Sequence, residues 1–399
     1  MVLAVTMGAT WALLTGEYPP QPGGVSDYTK RVACGLAEAG DQVHVFAPAG
    51  LGSDLIDNGV CVHRLPGHFG PRACRALNAA LKELPHSARL LVQYVPHAYG
   101  WKAMNLPFCL WLALHRRDPI WVMFHEVAFP WGGFCSFKQN LLAAVNRLMA
   151  CLVARSAERV FVSIPGWEPL LRPYLPASRK IEWCPIPSNT PETANEGETG
   201  KIRARYCATP QHQMLGHFGT YGTEISRGLA STLPALLQSR ATRVACLLGR
   251  GGKEFAATLS ASHPELADRI HAPGALEAEA VANHLAACDL LIFPFPDGVS
   301  SRRTSLMAGL ALGMPILSTD GPLTEPLWRE TNAVRLTTLE APDALVSAVE
   351  TMLNDAELRA AYGARARQLY RERFSLEHTI AMLRGEQNVS PRRHGDEEK

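Results

Sequence analysis

At 399 residues the chain is too long for one ordinary core, and its length predicts two domains of similar size. Hydrophobic residues make up 47% and charged residues 19%, with 32 Gly and 29 Pro, a composition that excludes a fibrous or disordered chain and suits an α/β protein with many tight turns. Basic and acidic residues number 39 and 37, so no global field attracts nucleic acid and any anion site has to be local.

The start, MVLAVTMGATWALLTGEYPP, lacks the basic region that opens a signal sequence, and Trp11 to Leu14 reads as a first buried strand. A helix is predicted from Ser26 to Ala39. Strand-length apolar runs then follow in QVHVFAP, VCVHRLP, LLVQYVP, IWVMFHE and RVFVSI, the alternation of a parallel sheet covered on both faces. Between the last two, Ser136 to Ala157 carries Leu141, Val145, Leu148, Leu152 and Val153 at helical spacing, which predicts a core helix rather than one lying on a membrane. Trp101, Trp111, Trp121, Phe129 and Trp131 cluster in this half and are expected in the core or a cleft wall.

From Pro187 to Gln213 the texture turns to Pro, Thr, Glu and Asn with few aliphatics, as in a linker. The rhythm restarts with MLGHFG, VACLLGRGG, DLLIFPF and PILST, separated by helix-period segments, and predicts a second Rossmann-like half. No run reaches ~18 apolar residues, the length a membrane span needs. The ten cysteines form no C-x-x-C pair, the pattern of free thiols in a reducing compartment, so the expected location is cytoplasmic.

Three loops are candidates for holding phosphate. Gly23 and Gly24 precede the first helix, where backbone N–H groups can face an anion or simply form a turn and cap. Gly219 and Thr220, in LGHFGTYG, end the first strand of the second half; the G-x-x-G-x-x-G spacing is not that of a dinucleotide fold, which argues against NAD. In DGVSSRRTS, Asp297-Gly298 makes a turn, and Ser300, Arg302, Arg303 and Ser305 crowd a helix start. A single serine is enough for a cap. A diphosphate would use all of these groups, because hydroxyls and amides donate hydrogen bonds while arginine adds charge in fork geometry.

These segments, in this order, resemble the retaining GT-B glycosyltransferases of family 4: PPQPGGVSDYTKRVACGLAEAGDQVHVFAP, MLGHFGTY, ACDLLIFPFPDGVSSRRTS, LALGMPILST and LTEPLW. The resemblance implies two Rossmann-like β/α/β domains facing each other across a cleft. It places an acceptor-side domain over 1–190, a linker over 191–212, a nucleotide-sugar domain over 213–374, a helix over 375–386 crossing back to the first domain and a disordered tail over 387–399. It implies transfer of a sugar from a nucleoside diphosphate to a hydroxyl of a glycan, lipid-linked or small-molecule acceptor, with retention, no cofactor, and membrane association at most peripheral. The chain holds no D-x-D triplet, so metal independence is expected.

The chain departs from the Glu-x7-Glu pattern of that family. Asp297 can stand for the first Glu, but Ser305 occupies the second position, and Ser300, Arg302 and Ser305 are expected to take over phosphate binding. His125-Glu126 resembles the family's His-acid pair near the donor sugar, although a strand-end histidine bound by backbone is the plainer reading. His97 holds a similar place and, with Tyr28, is assigned to the acceptor side. Glu325 resembles the glutamate of a G-x-x-E loop and is equally suited to capping the next helix. Arg250 ends another strand, within reach of a base or phosphate. A nucleotide-sugar 2-epimerase and a non-catalytic nucleotide- or glycan-binding protein share this architecture and are the alternatives.

Overall fold

The structure, a computed structural model, describes residues 8–50, 55–132, 136–338 and 342–386. The described residues divide into two compact units: the first takes those up to Pro185 and from Thr379 to Glu386, the second Ile186–His378. The tail expected over 387–399 lies outside the described residues.

The first unit contains β1 (Thr10–Thr15), β2 (Gln42–Pro48), β3 (Leu55–Asp57), β4 (Val60–Leu65), β5 (Arg89–Tyr94), β6 (Ile120–Phe124), β7 (Arg159–Val162) and β8 (Ile181–Trp183). Its helices are α1 (Gly24–Glu38), α2 (Pro71–Lys82), α3 (Leu106–Leu114), α4 (Phe137–Ser156) and the short α5 (Glu168–Leu171). The sheet order is β3-β4-β2-β1-β5-β6-β7-β8, parallel except for the antiparallel β3–β4 pair. Residues Trp11 to Leu14 are wholly buried, as a strand covered on both faces requires. Full burial of such a leucine contributes about 1.5–3 kcal/mol. The order reverses between β1 and β5, and there Tyr99 donates its hydroxyl to the carbonyls of Leu14 and Gln93 at 3.1 and 2.8 Å, binding the two strand ends together.

α4 starts where the sequence indicates. Ser136 accepts from the Gln139 amide, and the Gln139 side chain accepts from the Ser136 amide, a capping box. Its buried side, however, consists of Ala143, Asn146, Met149, Ala150, Val153 and Ala154. Of the five residues expected in the core only Val153 is buried; Val145 and Leu152 are partly covered, and Leu141 and Leu148 are exposed. Small residues let the helix lie close to its neighbours and leave its larger aliphatics outside. Trp121 is buried, whereas Trp101 and Trp131 are exposed rather than in the core.

The second unit contains β9 (Gln213–Phe218), β10 (Arg243–Leu248), β11 (Ile270–Gly274), β12 (Leu290–Phe293), β13 (Ile316–Thr319) and β14 (Arg335–Thr337), all parallel in the order β11-β10-β9-β12-β13-β14. The helices are α6 (Glu196–Tyr206), α7 (Thr223–Ser239), α8 (Gly252–Ser262), α9 (Ala278–Ala286), α10 (Thr304–Ala311), α11 (Pro326–Thr331), α12 (Pro342–Asn354) and α13 (Ala356–Leu369). Leu215, Leu233, Leu247, Leu290, Leu317 and Val349 share one core. α6 forms inside the stretch read as linker. It buries no residue of its own, so no apolar period announces it; Asn195 caps its start and Arg203 ties its end to Ala287 and Asp289. The wholly buried Arg243 is answered by Glu350, Ser239, Leu236 and Gln213, a structural role for its charge.

The last helix, α14 (Leu376–Arg384), belongs to the first unit from Thr379 onward. Arg384 donates to the Ala39 carbonyl at 2.9 Å and pairs with Asp41, whose other oxygen holds the Ala9 amide. Among the described residues, no helix is long and apolar enough to cross a membrane.

Candidate functional site

Doubly wound sheets bind ligands beyond the carboxyl ends of their strands, where the strand order reverses. In the second unit that point lies between β9 and β12. The loop after β9 and the start of α10 meet there: a Cβ on Gly219 would lie 3.6 Å from the Ser305 hydroxyl and 3.7 Å from His217 Nε2. Gly219 has φ +153°, a backbone conformation that side-chain-bearing residues rarely adopt.

The loop before α10 is fastened from several sides. Ser318 donates to the Phe293 carbonyl and Thr319 to that of Phe295, while the amide of Val299 donates to Thr319 O. Gly298 has φ +87°, and a Cβ there would collide with Thr324 and Gly321, so only glycine lets this turn pack on the loop after β13. Glu325 completes the fastening. Buried before α11, its carboxylate accepts the Ser301 amide with both oxygens (2.9 and 3.1 Å), the Ser301 hydroxyl at 2.6 Å and the Trp328 indole N–H.

On this platform α10 begins without a side-chain cap. Arg302 and Arg303, both partly buried, approach the exposed Asp297 at 3.9 and 3.7 Å, and the Arg303 guanidinium lies 4.7 Å from the centre of the Phe295 ring. Two guanidinium groups thus stand beside one exposed carboxylate at a helix N-terminus, the end of a helix whose dipole favours an anion. The Ser300 hydroxyl is buried without a hydrogen-bond partner among the described residues. Thr220 and Arg250 are exposed on the neighbouring loops, and the Tyr221 ring lies against Gly251 and Gly252 after β10.

His217 is a residue that motif reading passes over. Buried on β9, it donates from Nδ1 to the Ile292 carbonyl at 2.8 Å, which leaves Nε2 as an acceptor with no partner among the described residues. Burial lowers its pKa to about 4 against the weaker opposing effect of that carbonyl. Its signal in the sequence is a histidine inside an otherwise apolar strand, MLGHF.

In the first unit, the start of α1 meets a carboxylate of its own. Glu17 accepts the Val25 and Ser26 amides, each at 3.1 Å, and Gly23 leaves room for that carboxylate, whereas Gly24 faces open space. Tyr28 is buried, its ring edge-on to His125 at 4.8 Å and its hydroxyl bonded to the Cys184 thiol. His125 Nε2 lies 2.8 Å from Gln93 Oε1, and its own carbonyl accepts from Ser163 and Trp167. Desolvation lowers the His125 pKa to about 3. His125 is therefore a neutral hydrogen-bonding group, while the more accessible polar side chains at these strand ends are the half-buried Glu126 and the exposed His97, 3.9 Å apart. Among the described residues, no three His, Cys, Asp or Glu side chains gather to hold a metal ion.

The two neutral histidines make stability depend on pH. In the unfolded chain each protonates near 6.5, whereas the folded units resist the proton down to about 3 for His125 and about 4 for His217. Below pH 6.5 the unfolded state thus binds more protons, and stability falls by about 1.4 kcal/mol per pH unit for each histidine. Urea titrations at pH 7 and pH 5 should show a loss of about 2 kcal/mol for each unit, and His217→Gln should flatten the slope of the second. An unchanged slope in that variant would place the proton uptake elsewhere.

These are two doubly wound α/β units, the second with two arginines and the start of α10 near its switch point. Residues 23–187 match the glycosyl transferase 4-like domain and residues 213–355 match the domain described as glycosyl transferases group 1. The chain carries both glycosyltransferase domains in succession and belongs to the glycosyltransferases of GT-B fold. Sucrose-phosphate synthase from Thermosynechococcus elongatus is similar in structure at a TM-score of 0.68 and 17% identity, covering 94% of this chain and 98% of the other. The Anabaena protein HepE in complex with UDP gives 0.68 and 16% over the same shares, and WaaG, a glycosyltransferase involved in lipopolysaccharide biosynthesis, gives 0.64 and 16% over 94% and 100%. No curated protein sequence matches the chain.

Proposed function

We propose that the protein moves a glycosyl group from a nucleoside diphosphate sugar to a hydroxyl acceptor with retention of anomeric configuration, as the family 4 resemblance implies. The observation that carries the donor side is the uncapped start of α10 with Arg302, Arg303, Ser305 and Gly219 around it. Structures of the similar HepE hold UDP and UDP-glucose, which makes a UDP-sugar the first donor to test.

As the bond to the sugar breaks, charge grows on the diphosphate. The α10 amides and the two guanidinium groups stabilise that charge without reorganising, which lowers the barrier because the interaction strengthens toward the transition state. The leaving phosphate oxygen takes the acceptor proton, so no strong protein base is required; this agrees with a His125 held neutral by burial. His217 Nε2, acceptor only, suits a hydroxyl of the donor rather than a phosphate oxygen.

The reading is tested by incubating the protein with UDP-, GDP-, ADP- and dTDP-sugars and an alcohol acceptor in EDTA, following nucleotide release and the product anomer by NMR. Acceptor-dependent release with a retained anomer is expected. An inverted anomer would refute retention, conversion of donor without acceptor would identify an epimerase, and binding without release would identify a non-catalytic protein.

A further inference from the structure

The large exposed hydrophobic side chains among the described residues are confined to one region, from Trp101 to Leu170. On α4, Phe137, Leu141 and Leu148 fall within about 40° of one another around the helix axis and face away from the core. They are 83%, 53% and 50% exposed. α3 packs beside α4 and exposes Leu114 by 77% and, one turn earlier, Leu110 by 48%. A helix at a water-facing surface places charged residues along that side, whereas α3 carries none and the outward stripe of α4 carries only Arg155 at its end.

On the two helices themselves the charge has one sign. α3 has no charged residue, and those of α4 are Lys138, Arg147 and Arg155. Lys102 stands beside Trp101 and Arg116 follows Leu114 by two residues, both exposed. Asp118 is buried against His115 and Arg117, which leaves Glu126 as the accessible acid between Trp101 and Ala157; beyond α4, Glu158 is exposed and Glu168 pairs with Arg172. In a chain of 39 basic and 37 acidic residues this imbalance is local. Trp131 is exposed, with the Arg147 guanidinium 5.3 Å from its ring centre, an arrangement suited to the boundary between polar and apolar media.

We propose that the α3–α4 face docks on the surface of an anionic lipid bilayer. Phe137, Leu141, Leu148, Leu110 and Leu114 enter the boundary between headgroups and acyl chains, while Lys102, Arg116, Lys138 and Arg155 meet headgroup phosphates. The basic rim decides among occupants. A second copy of the chain would set like charges against each other, whereas an anionic membrane is complementary in both polarity and sign. The proposal does not rest on the donor chemistry of the second unit.

Vesicle flotation tests it with the full chain, using phosphatidylcholine alone and phosphatidylcholine containing phosphatidylglycerol. The protein is expected to float with the anionic vesicles at least about tenfold more than with neutral ones, less so at high salt. The triple variant Phe137→Gln, Leu141→Gln, Leu148→Gln should bind at least about tenfold more weakly while melting at the same temperature, since these side chains lie outside the core. Lys102→Glu with Lys138→Glu keeps the apolar stripe and should abolish the preference for anionic lipid. A protein that stays with the lipid-free fraction in both cases overturns the proposal, as does a triple variant that floats unchanged. A wild-type dimer that the triple variant converts to monomer would reassign the face to self-association and equally overturn it.

Discussion

Replacing Arg302 and Arg303 together by alanine is expected to weaken nucleoside diphosphate binding by about 3 kcal/mol or more, beyond a hundredfold in affinity. Hydrogen bonds to charged groups contribute about 1.5–3 kcal/mol each, and the partial exposure of both guanidinium groups places each near the lower end. The double variant also leaves Asp297 as an uncompensated negative charge beside the α10 N-terminus, which repels a diphosphate. The triple change with Asp297→Asn should therefore recover part of the loss. Arg302→Lys keeps the charge and loses the fork, so its affinity should lie between the parent and Arg302→Ala. Calorimetry with UDP, then GDP, ADP and dTDP, measures all of these. A double variant that binds its nucleotide as tightly as the parent would remove the anion site from the start of α10.

The sheets were the legible part of the sequence, for a physical reason. Buried parallel strands must be apolar on both faces, so TWALLT, RLLVQY, IWVMF and LLIF stand out at the right length between helix-period segments. The loop before α10 stands out in the sequence through surplus: two arginines and several hydroxyls exceed what capping α10 needs. What stayed hidden depends on three-dimensional partners. α6 has no buried face and so no period. Glu17 is the acceptor of the α1 amides, which a Gly-Gly motif cannot reveal. The outward aliphatics of α4 share the helical spacing of a core stripe, because alanines occupy the true core side and make both faces apolar. His125 and Glu126 are neighbours in sequence, yet burial makes one a neutral imidazole and leaves the other an accessible charge.

Glu325→Ala is expected to destabilise the second unit by about 3–5 kcal/mol, the range for removing one member of a buried, fully bonded charged group. The truncation removes the carboxylate that the Ser301 amide, the Ser301 hydroxyl and the Trp328 indole N–H all bond in a buried setting. The loop carrying Arg302 and Arg303 then loses its tie to α11, so donor affinity should fall together with the melting temperature. Glu325→Gln separates this clamp from direct contact with the nucleotide. Its amide can give an oxygen to Trp328, which only donates, and an N–H to the Ser301 hydroxyl, which can turn to accept. The Ser301 amide keeps at most the one remaining oxygen, so a milder destabilisation is expected, with an equally mild loss of affinity. If Glu325 instead bound a ribose or sugar hydroxyl, Glu325→Gln would lower affinity while leaving the melting temperature of the free protein unchanged. Melting curves and calorimetry on both variants distinguish the two roles, because a clamp moves affinity and stability in step.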